Sequence, residues 1–388
     1  MDDEYRVGIN YWPARTAMRW WHEFDRPEVE RDFAAIAAAG CDSVRVFLLW
    51  TDFQPTAAAV SPIALARLVE VADVAAAHQL RIVPTLFTGH MSGANWIPEW
   101  ALGGSAKGRF PIVSGDTVVE RLPRNWYDDP AIAEAQATLA GEAAAALRGH
   151  PALWAWDLGN ENSNVCVPAT RDLARSWLAR MTGAIRAADP SRPITIGLHM
   201  EDLEEDRRLG PAEASEFSDF LCMHGYPLYA RWARGPSDAA LVAYLAEVTR
   251  WLGGKEVFFE EFGMPSRAPQ EEAEADHYVG QALDALHEVG TTGAMLWCFA
   301  DYVTEIWDRP PLDHAPHERF FGLWRADGSP KPAARHLGRY AGVARRTAVG
   351  DAEWADVPPE HFYDDPAANL RRMYPRYCGV REAHTPSR

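Results

Sequence analysis

The segment 43-SVRVFLLWTDFQPTAAAVSPIALARLVEVADVAAAHQLRIVPTLF-87 decides the architecture. It opens on a run rich in Val, Leu and Phe, crosses an Ala-rich stretch of helical spacing over 61–78, and ends on a second apolar run. Ser61-Pro62 marks the helix start, because a hydroxyl can accept an orphan N–H and proline at the next position costs no bond. Two buried strands joined by a helix read as a parallel β-α-β unit.

The same unit recurs in both directions. Apolar runs stand at 7-VGINY-11, 43-SVRVFLLW-50, 81-RIVPTLF-87, 153-LWAWDLG-159, 193-PITIGL-198, 220-FLCMHGY-226, 257-VFFEEFG-263 and 293-GAMLWCF-299. Helical patterns lie between them near 28–39, 61–78, 129–148, 170–188, 238–252 and 271–289, with a last one near 332–349. Asp129-Pro130 and Ser237-Asp238 read as further starts, and Gly40, Gly149 and Gly290 as ends. Only 199–219 is irregular. Eight strands, each followed by a helix, make a (β/α)8 TIM barrel. A doubly wound sheet would carry a Gly-rich phosphate loop after its first strand, where this chain has Asn10-Tyr11-Trp12-Pro13. No Pro-, Gly- or Ser-rich linker interrupts the pattern. The expectation is therefore a single barrel domain over 1–349, with a polar, proline-bearing extension over 350–388 packed on its outside. Two connections, 88–128 and 300–331, are too long for simple loops and are expected to be functional.

Composition narrows the function. The chain has 388 residues, with 38 Lys+Arg against 55 Asp+Glu, a net charge of −17. That charge repels phosphate, and no basic run offsets it, so no nucleic-acid or membrane partner is expected. The apolar fraction of 47% excludes disorder. The start Met1-Asp2-Asp3-Glu4 is unlike a secretory signal, so a cytoplasmic location is expected. Cys41, Cys166, Cys222, Cys298 and Cys378 are scattered and form no Cys-x-x-Cys pair, so they read as reduced thiols. The 16 tryptophans are the unexplained number.

Barrel chemistry sits at the C-terminal ends of the strands. Those positions carry Arg45, His90, Asp157, Asn160, Glu161, His224, Tyr226, Glu260, Glu261, Trp297 and, beyond the last run, Asp301. Glutamates after the fourth and seventh runs face each other across the mouth. Glycoside hydrolysis needs such a pair, one carboxyl to protonate the leaving oxygen and one to attack or to activate water. Repulsion between them would keep one protonated. Strict alternation puts Glu260 and Glu261 on opposite faces, so Glu260 is expected to point out of the barrel, salt-bridged. Asp157 reads as part of the barrel's structural hydrogen bonds.

Leu158-Gly159-Asn160-Glu161 and Glu261-Phe262-Gly263 resemble the retaining β-glycosidases of clan A, glycoside hydrolase family 5, over about residues 7–345. The resemblance implies Glu161 as acid/base, Glu261 as nucleophile, Asn160 on the sugar 2-hydroxyl, and Arg45 on the nucleophile. It also implies His90, His224 and Tyr226 around the reacting sugar, Trp297 beneath its ring, and no cofactor or metal. Metal-dependent barrel hydrolases place His-x-His on the first strand, and this one has none.

Sugars stack on aromatic rings, so tryptophans of the mouth loops, Trp12 and Trp126 among them, are expected to line subsites. Trp50, Trp96, Trp100, Trp232, Trp307 and Trp324 belong to the same group, whereas Trp154, Trp156, Trp177 and Trp251 read as core. Asp301 and Glu305 are candidates for sugar hydroxyls. Long loops walling one end of the cleft would favour cutting from a chain end. The first two apolar runs look like the compact bacterial β-mannosidase branch of the family. The expectation is an exo-acting β-mannosidase on an oligosaccharide. β-Glucosidase, β-galactosidase, endo-β-mannanase or cellulase activity, transglycosylation and a non-catalytic sugar-binding barrel remain alternatives.

Overall fold

The computed structural model describes residues 3–348 and 352–384. Eight parallel strands form a closed barrel: β1 (Arg6–Tyr11), β2 (Ser43–Leu49), β3 (Arg81–Thr88), β4 (Trp156–Asn160), β5 (Ile194–His199), β6 (Leu221–His224), β7 (Val257–Phe262) and β8 (Gly293–Leu296). Each pairs with its neighbours in sequence, and β8 closes onto β1 through Arg6↔Gly293 to Ile9↔Leu296. The strands are buried along almost their whole length, which is why they read as continuous apolar runs rather than alternating ones.

Seven helices cover the barrel: α1 (Arg26–Ala38), α2 (Pro62–Ala77), α3 (Pro130–Ala146), α4 (Arg171–Ala188), α5 (Pro211–Phe217), α6 (Ala239–Gly253) and α7 (Pro269–Glu288). Ser61 accepts from Ala64 N, and Asp129 from Ala131 N and Ile132 N, as their positions anticipate. Asp238 precedes α6 without capping it, because Arg234 and Tyr374 take its carboxylate instead. The irregular stretch 199–219 resolves into a short helical turn, Glu201–Glu204, and α5. The pattern near 332–349 is a 3-10 helix, Pro332–Tyr340, rather than an α-helix. Its buried Ala334, Leu337 and Tyr340 recur every third residue, the repeat of a 3-10 turn.

The 88–128 connection contains a small sheet of four short strands, His90–Met91, Ala94–Trp96, Ile112–Ser114 and Thr117–Val119. The 300–331 connection carries two 3-10 turns, Thr304–Ile306 and Pro316–Phe320. Arg19 ties the two together, through Asp116 at 3.3 Å and the Pro310 carbonyl at 3.3 Å. The last helix, α8 (Pro366–His384), packs on α6, with Tyr244 Oη donating to Leu370 O at 2.7 Å. No helix among the described residues is long and apolar enough to cross a membrane.

Asp32 on α1 accepts from buried Tyr11 Oη at 2.9 Å, and burial pushes its carboxyl up to about 7. A carboxyl raised in the folded state gives stability below its unfolded pKa and loses it as pH rises through 7. Asp32→Asn keeps an acceptor for Tyr11 and removes the charge. Melting curves should therefore show the variant gaining on the wild type at pH 8 relative to pH 5. An equal difference at both values would refute this.

Candidate active site

Arg45, on β2, is the centre of the barrel mouth. It is fully buried and meets three carboxylates: Glu261 Oε1 at 2.5 Å, Asp157 Oδ2 at 2.7 Å and Glu260 Oε1 at 3.3 Å. It also donates to Thr85, Asn10 and Asn160. A buried guanidinium is tolerable only with its donors filled and its charge compensated, and here both hold. Gly197 on β5 makes room: a Cβ there would lie 3.0 Å from Arg45 Nη2 and 3.0 Å from His224 Nε2.

The expectation that Glu260 points outward is corrected. Glu260 is buried inside the barrel, 3.3 Å from His224 Nε2 as well as from Arg45. The register explains it. β6 pairs Met223↔Phe259 and then His224↔Glu261, and β7 pairs Phe259↔Ala294 and then Phe262↔Leu296. One extra residue on β7 makes a β-bulge, which breaks the alternation and turns both glutamates inward. They remain unequal. Glu260 lies deeper, on Arg45 and His224, whereas Glu261 reaches the cleft and takes a bond from Tyr226 Oη at 2.8 Å.

Glu161 stands opposite, just past the end of β4, in the left-handed region at φ 49°. Its Oε1 meets His224 Nδ1 at 3.1 Å, and its Oε2 accepts from Asn164 Nδ2 at 3.0 Å. His90 and His199 each lie 3.8 Å from Oε2. Donor atoms of Glu161, His224 and Glu261 fall within 4.8 Å of one another. Asn160 donates to the His90 carbonyl at 3.0 Å, and His90 Nδ1 is fixed on Asn95 at 2.7 Å.

The charges are arranged unequally. Burial would raise Glu161, but His199, His224 and His90 overcome it and hold the carboxyl well below the usual range. Burial raises Glu261, with Glu161 adding to it against His224 and Arg45. Against its own burial, His224 is pushed up to about 10 by Glu261, Glu161 and Glu260. His90 has no such surplus and burial lowers it. The unliganded cluster therefore keeps its mobile proton on His224, one hydrogen bond from Glu161.

Among the described residues, Glu161, His224 and Glu261 are the three donors close enough together to hold a metal ion. Arg45 already places a fixed positive charge on that carboxylate cluster, which opposes a second cation.

These groups line a cavity of about 440 Å³ together with Trp297, Tyr229, Glu318, Ser92, Phe110 and Glu201. Of the residues expected on substrate, His90, Asn160, Glu161, His224, Tyr226, Glu261 and Trp297 line this cleft, with Arg45 directly beneath. Three do not. Asp301 is buried against Lys331 Nζ at 2.8 Å and Gly322 N at 2.9 Å, because the chain folds back on itself there. Trp12 is buried flat on Phe47, ring centroids 5.0 Å apart. Trp126 is buried edge-on to Trp50 at 5.9 Å. The other loop tryptophans follow them: of the sixteen, Trp297 alone lines the cleft. Glu305 is exposed outside it.

His199, Asn164, Tyr229 and Glu318 were not anticipated. The strand-end rule applied to β5 would have found His199. Asn164 follows Glu161 by one turn. Tyr229 and Glu318 lie in irregular chain with no periodic signal.

Similarity to known proteins agrees with this geometry. The chain is 28% identical over 158 residues to mannan endo-1,4-beta-mannosidase F of Aspergillus clavatus, covering 36% of this chain and 34% of that protein. It is 24% identical over 170 residues to putative mannan endo-1,4-beta-mannosidase 9 of Oryza sativa, covering 38% of this chain and 40% of that one. The chain thus spans well under two thirds of the length of these relatives. Among solved structures, exo-beta-1,4-mannosidase Op5Man5 from an Opitutaceae bacterium superposes with a TM-score of 0.74 at 28% identity, over 87% of this chain and 59% of that one. GH5_18 from Streptomyces cattleya, in complex with Manb1-4GlcNAc, superposes with a TM-score of 0.78 at 24% identity, over 98% and 92%. The family model for cellulase (glycosyl hydrolase family 5) matches residues 4–302, the span that carries the barrel, Arg45 and both cleft glutamates, and the chain belongs to that glycoside hydrolase family.

Proposed function

We propose that the protein is an exo-acting β-mannosidase that releases the terminal sugar of a short β-linked oligosaccharide with retention of configuration. The observation that carries the reading is the cleft itself: two carboxyls within 4.8 Å, at an end walled by the 88–128 and 300–331 connections. That separation leaves no room for a water between carboxylate and sugar, as an inverting enzyme needs, and suits direct attack. The 28% likeness to an exo-β-1,4-mannosidase supports the sugar and the mode.

In this reading Glu261, oriented by Arg45 and Tyr226, attacks the anomeric carbon, and Glu161 protonates the leaving oxygen. A sugar in the cleft strips water from Glu161 and pushes its carboxyl up, so the proton crosses the 3.1 Å from His224 Nδ1. Glu161 then deprotonates the water that opens the glycosyl ester. The same reading makes the enzyme cytoplasmic. Its five cysteines are free thiols, and three of them are buried, which suits a reducing compartment.

The test is a panel of aryl β-mannoside, β-glucoside and β-galactoside, with NMR detection of the first anomer released. β-Mannoside is expected to lead, with the β-anomer appearing first. Mannobiose and Manβ1-4GlcNAc should be cut faster than polymeric mannan or cellulose, in chelator as in its absence. An α-anomer released first would remove the mechanism, and comparable rates on polymer would remove the exo mode.

A further inference from the structure

The cleft is also lined by polar groups that the double displacement does not use. Ser92 lies in the tight turn between the short strands His90–Met91 and Ala94–Trp96, at φ 51°. Tyr229 ends the 3-10 turn Pro227–Tyr229 after β6, and His317 and Glu318 come from the 3-10 turn Pro316–Phe320 in the long connection after β8. All four line the same cavity as Glu261 and Trp297.

Glu318 is only 8% exposed. Tyr229 Oη donates to its Oε1 at 3.3 Å, and His317 Nε2 is 3.4 Å from the same oxygen. The Ser92 hydroxyl and the Trp297 indole N–H also face this carboxyl, and no Lys or Arg among the described residues pairs with it. Tyr229 Oη and His317 Nε2 are themselves 2.9 Å apart, so the two hold each other as well as the carboxyl. The buried Ser92 Oγ lies beside this carboxyl without closing a well-formed hydrogen bond to it. Burial, with the Glu261 charge adding to it, pushes Glu318 up to about 7 against the opposing contacts of Ser92, Tyr229 and Trp297.

A buried carboxyl without a Lys or Arg, a buried hydroxyl without a well-formed hydrogen bond and a left-handed non-glycine residue each cost stability. Packing does not require any of them here, since an apolar wall would close the cleft as well. Groups of this kind persist where a ligand completes them, and vicinal sugar hydroxyls are the ligand that matches a bidentate acceptor beside a hydroxyl.

We infer that Glu318, with Ser92 and Tyr229, forms a specificity clamp that binds the free 3- and 4-hydroxyls of the terminal sugar. The inference rests on the glycosidase reading, which puts the anomeric carbon at Glu261 and the ring on Trp297. C4 lies across the ring from C1, and Glu318 lines the same cavity beside the Trp297 indole that carries the ring. In a 1,4-linked chain, every sugar but the last has its 4-oxygen substituted. A carboxyl that needs a free 4-hydroxyl admits chain ends and rejects internal sugars, which turns the loop wall into a chemical requirement.

The experiment is a cycle of substrate and side-chain deletions. Aryl β-mannoside and its 3-, 4- and 6-deoxy analogues are assayed with the wild type, Glu318→Ala, Glu318→Gln and Ser92→Ala, each with a melting curve as a folding control. In the wild type, loss of the 4-hydroxyl should lower kcat/KM on the order of 10²-fold, since it leaves buried groups unpaired. In Glu318→Ala the parent substrate should fall by a similar factor, and further removal of the 4-hydroxyl should cost less than about tenfold. Glu318→Gln should recover part of the parent rate, and Ser92→Ala should weaken the same discrimination without touching Glu318. The 6-deoxy analogue should stay equally impaired, or unimpaired, in every variant. If Glu318→Ala and Ser92→Ala slow parent and deoxy sugars by one common factor, the clamp is refuted and these residues are structural. If another β-glycoside proves the best substrate, the cycle is run on its deoxy analogues. The identity of the best sugar then judges the mannosidase reading, and the coupling alone judges the clamp.

Discussion

Glu261→Ala is expected to lower hydrolysis of an aryl β-glycoside on the order of 10⁵-fold, because in the proposed double displacement it removes the atom that forms the covalent intermediate. Added azide should restore turnover and yield the inverted glycosyl azide, since the small anion enters the space the carboxylate leaves and attacks from its face. The prediction discriminates between neighbours. Glu260 is also a carboxylate and just as buried, and the bulge in β7 turns it to the same interior. It is nevertheless spent on Arg45 at 3.3 Å and His224 at 3.3 Å, below the cleft. Glu260→Ala should therefore slow the enzyme without any azide product. Inverted azide from Glu260→Ala, and none from Glu261→Ala, would exchange the two assignments.

What made the barrel legible was repetition. Eight buried strands and their helices each left a periodic trace, and helix starts at Ser61 and Asp129 carried a side chain that caps where it stands. The grouping of residues around the cleft was legible because strand ends are few and its residue types are unusual there. The misreadings share a different cause. Glu260 was misplaced because a bulge is a property of hydrogen-bond register, which side-chain alternation does not encode. Asp301 sits at a strand end, as a substrate residue would, but its partner Lys331 is thirty positions on and arrives only when the loop folds back. Trp12 and Trp126 lie in loops by sequence and in the core by packing, since a loop of 41 residues such as 88–128 needs its own apolar interior. The tryptophan excess is thus mostly the core of the mouth loops, with a single ring, Trp297, left for the cleft.

Arg45→Met should be the most destabilising single change in the barrel interior. Among the described residues, the guanidinium is the one cation in contact with Asp157, Glu260 and Glu261 besides His224, and all three carboxylates are buried. Removing one partner of a buried pair costs about 3–5 kcal/mol, because the desolvated charge stays behind. A drop in melting temperature of about 5 °C at pH 7 is the corresponding observable. The pH dependence identifies the cause. Even with Arg45 present, burial and the charge of Glu260 push Asp157 up to about 6. Without Arg45, Asp157 and Glu261 move further above their unfolded values, and Glu260, which Arg45 and His224 hold below its own, moves up as well. Groups raised in the folded state favour folding below the unfolded pKa and lose that favour as pH rises. The deficit of Arg45→Met relative to the wild type should therefore narrow towards pH 4, where the carboxyls can fold protonated, and widen above pH 6. Arg45→Lys restores the charge but not the five-donor fork that serves Glu261, Asp157, Thr85, Asn10 and Asn160 together. It should recover part of the stability and little of the activity, because Glu261 would lose the 2.5 Å contact that orients it. A deficit that is the same at pH 4 and pH 8 would mean that Arg45 acts by packing alone, and would remove the electrostatic account of how one arginine holds three carboxylates at the mouth of the barrel.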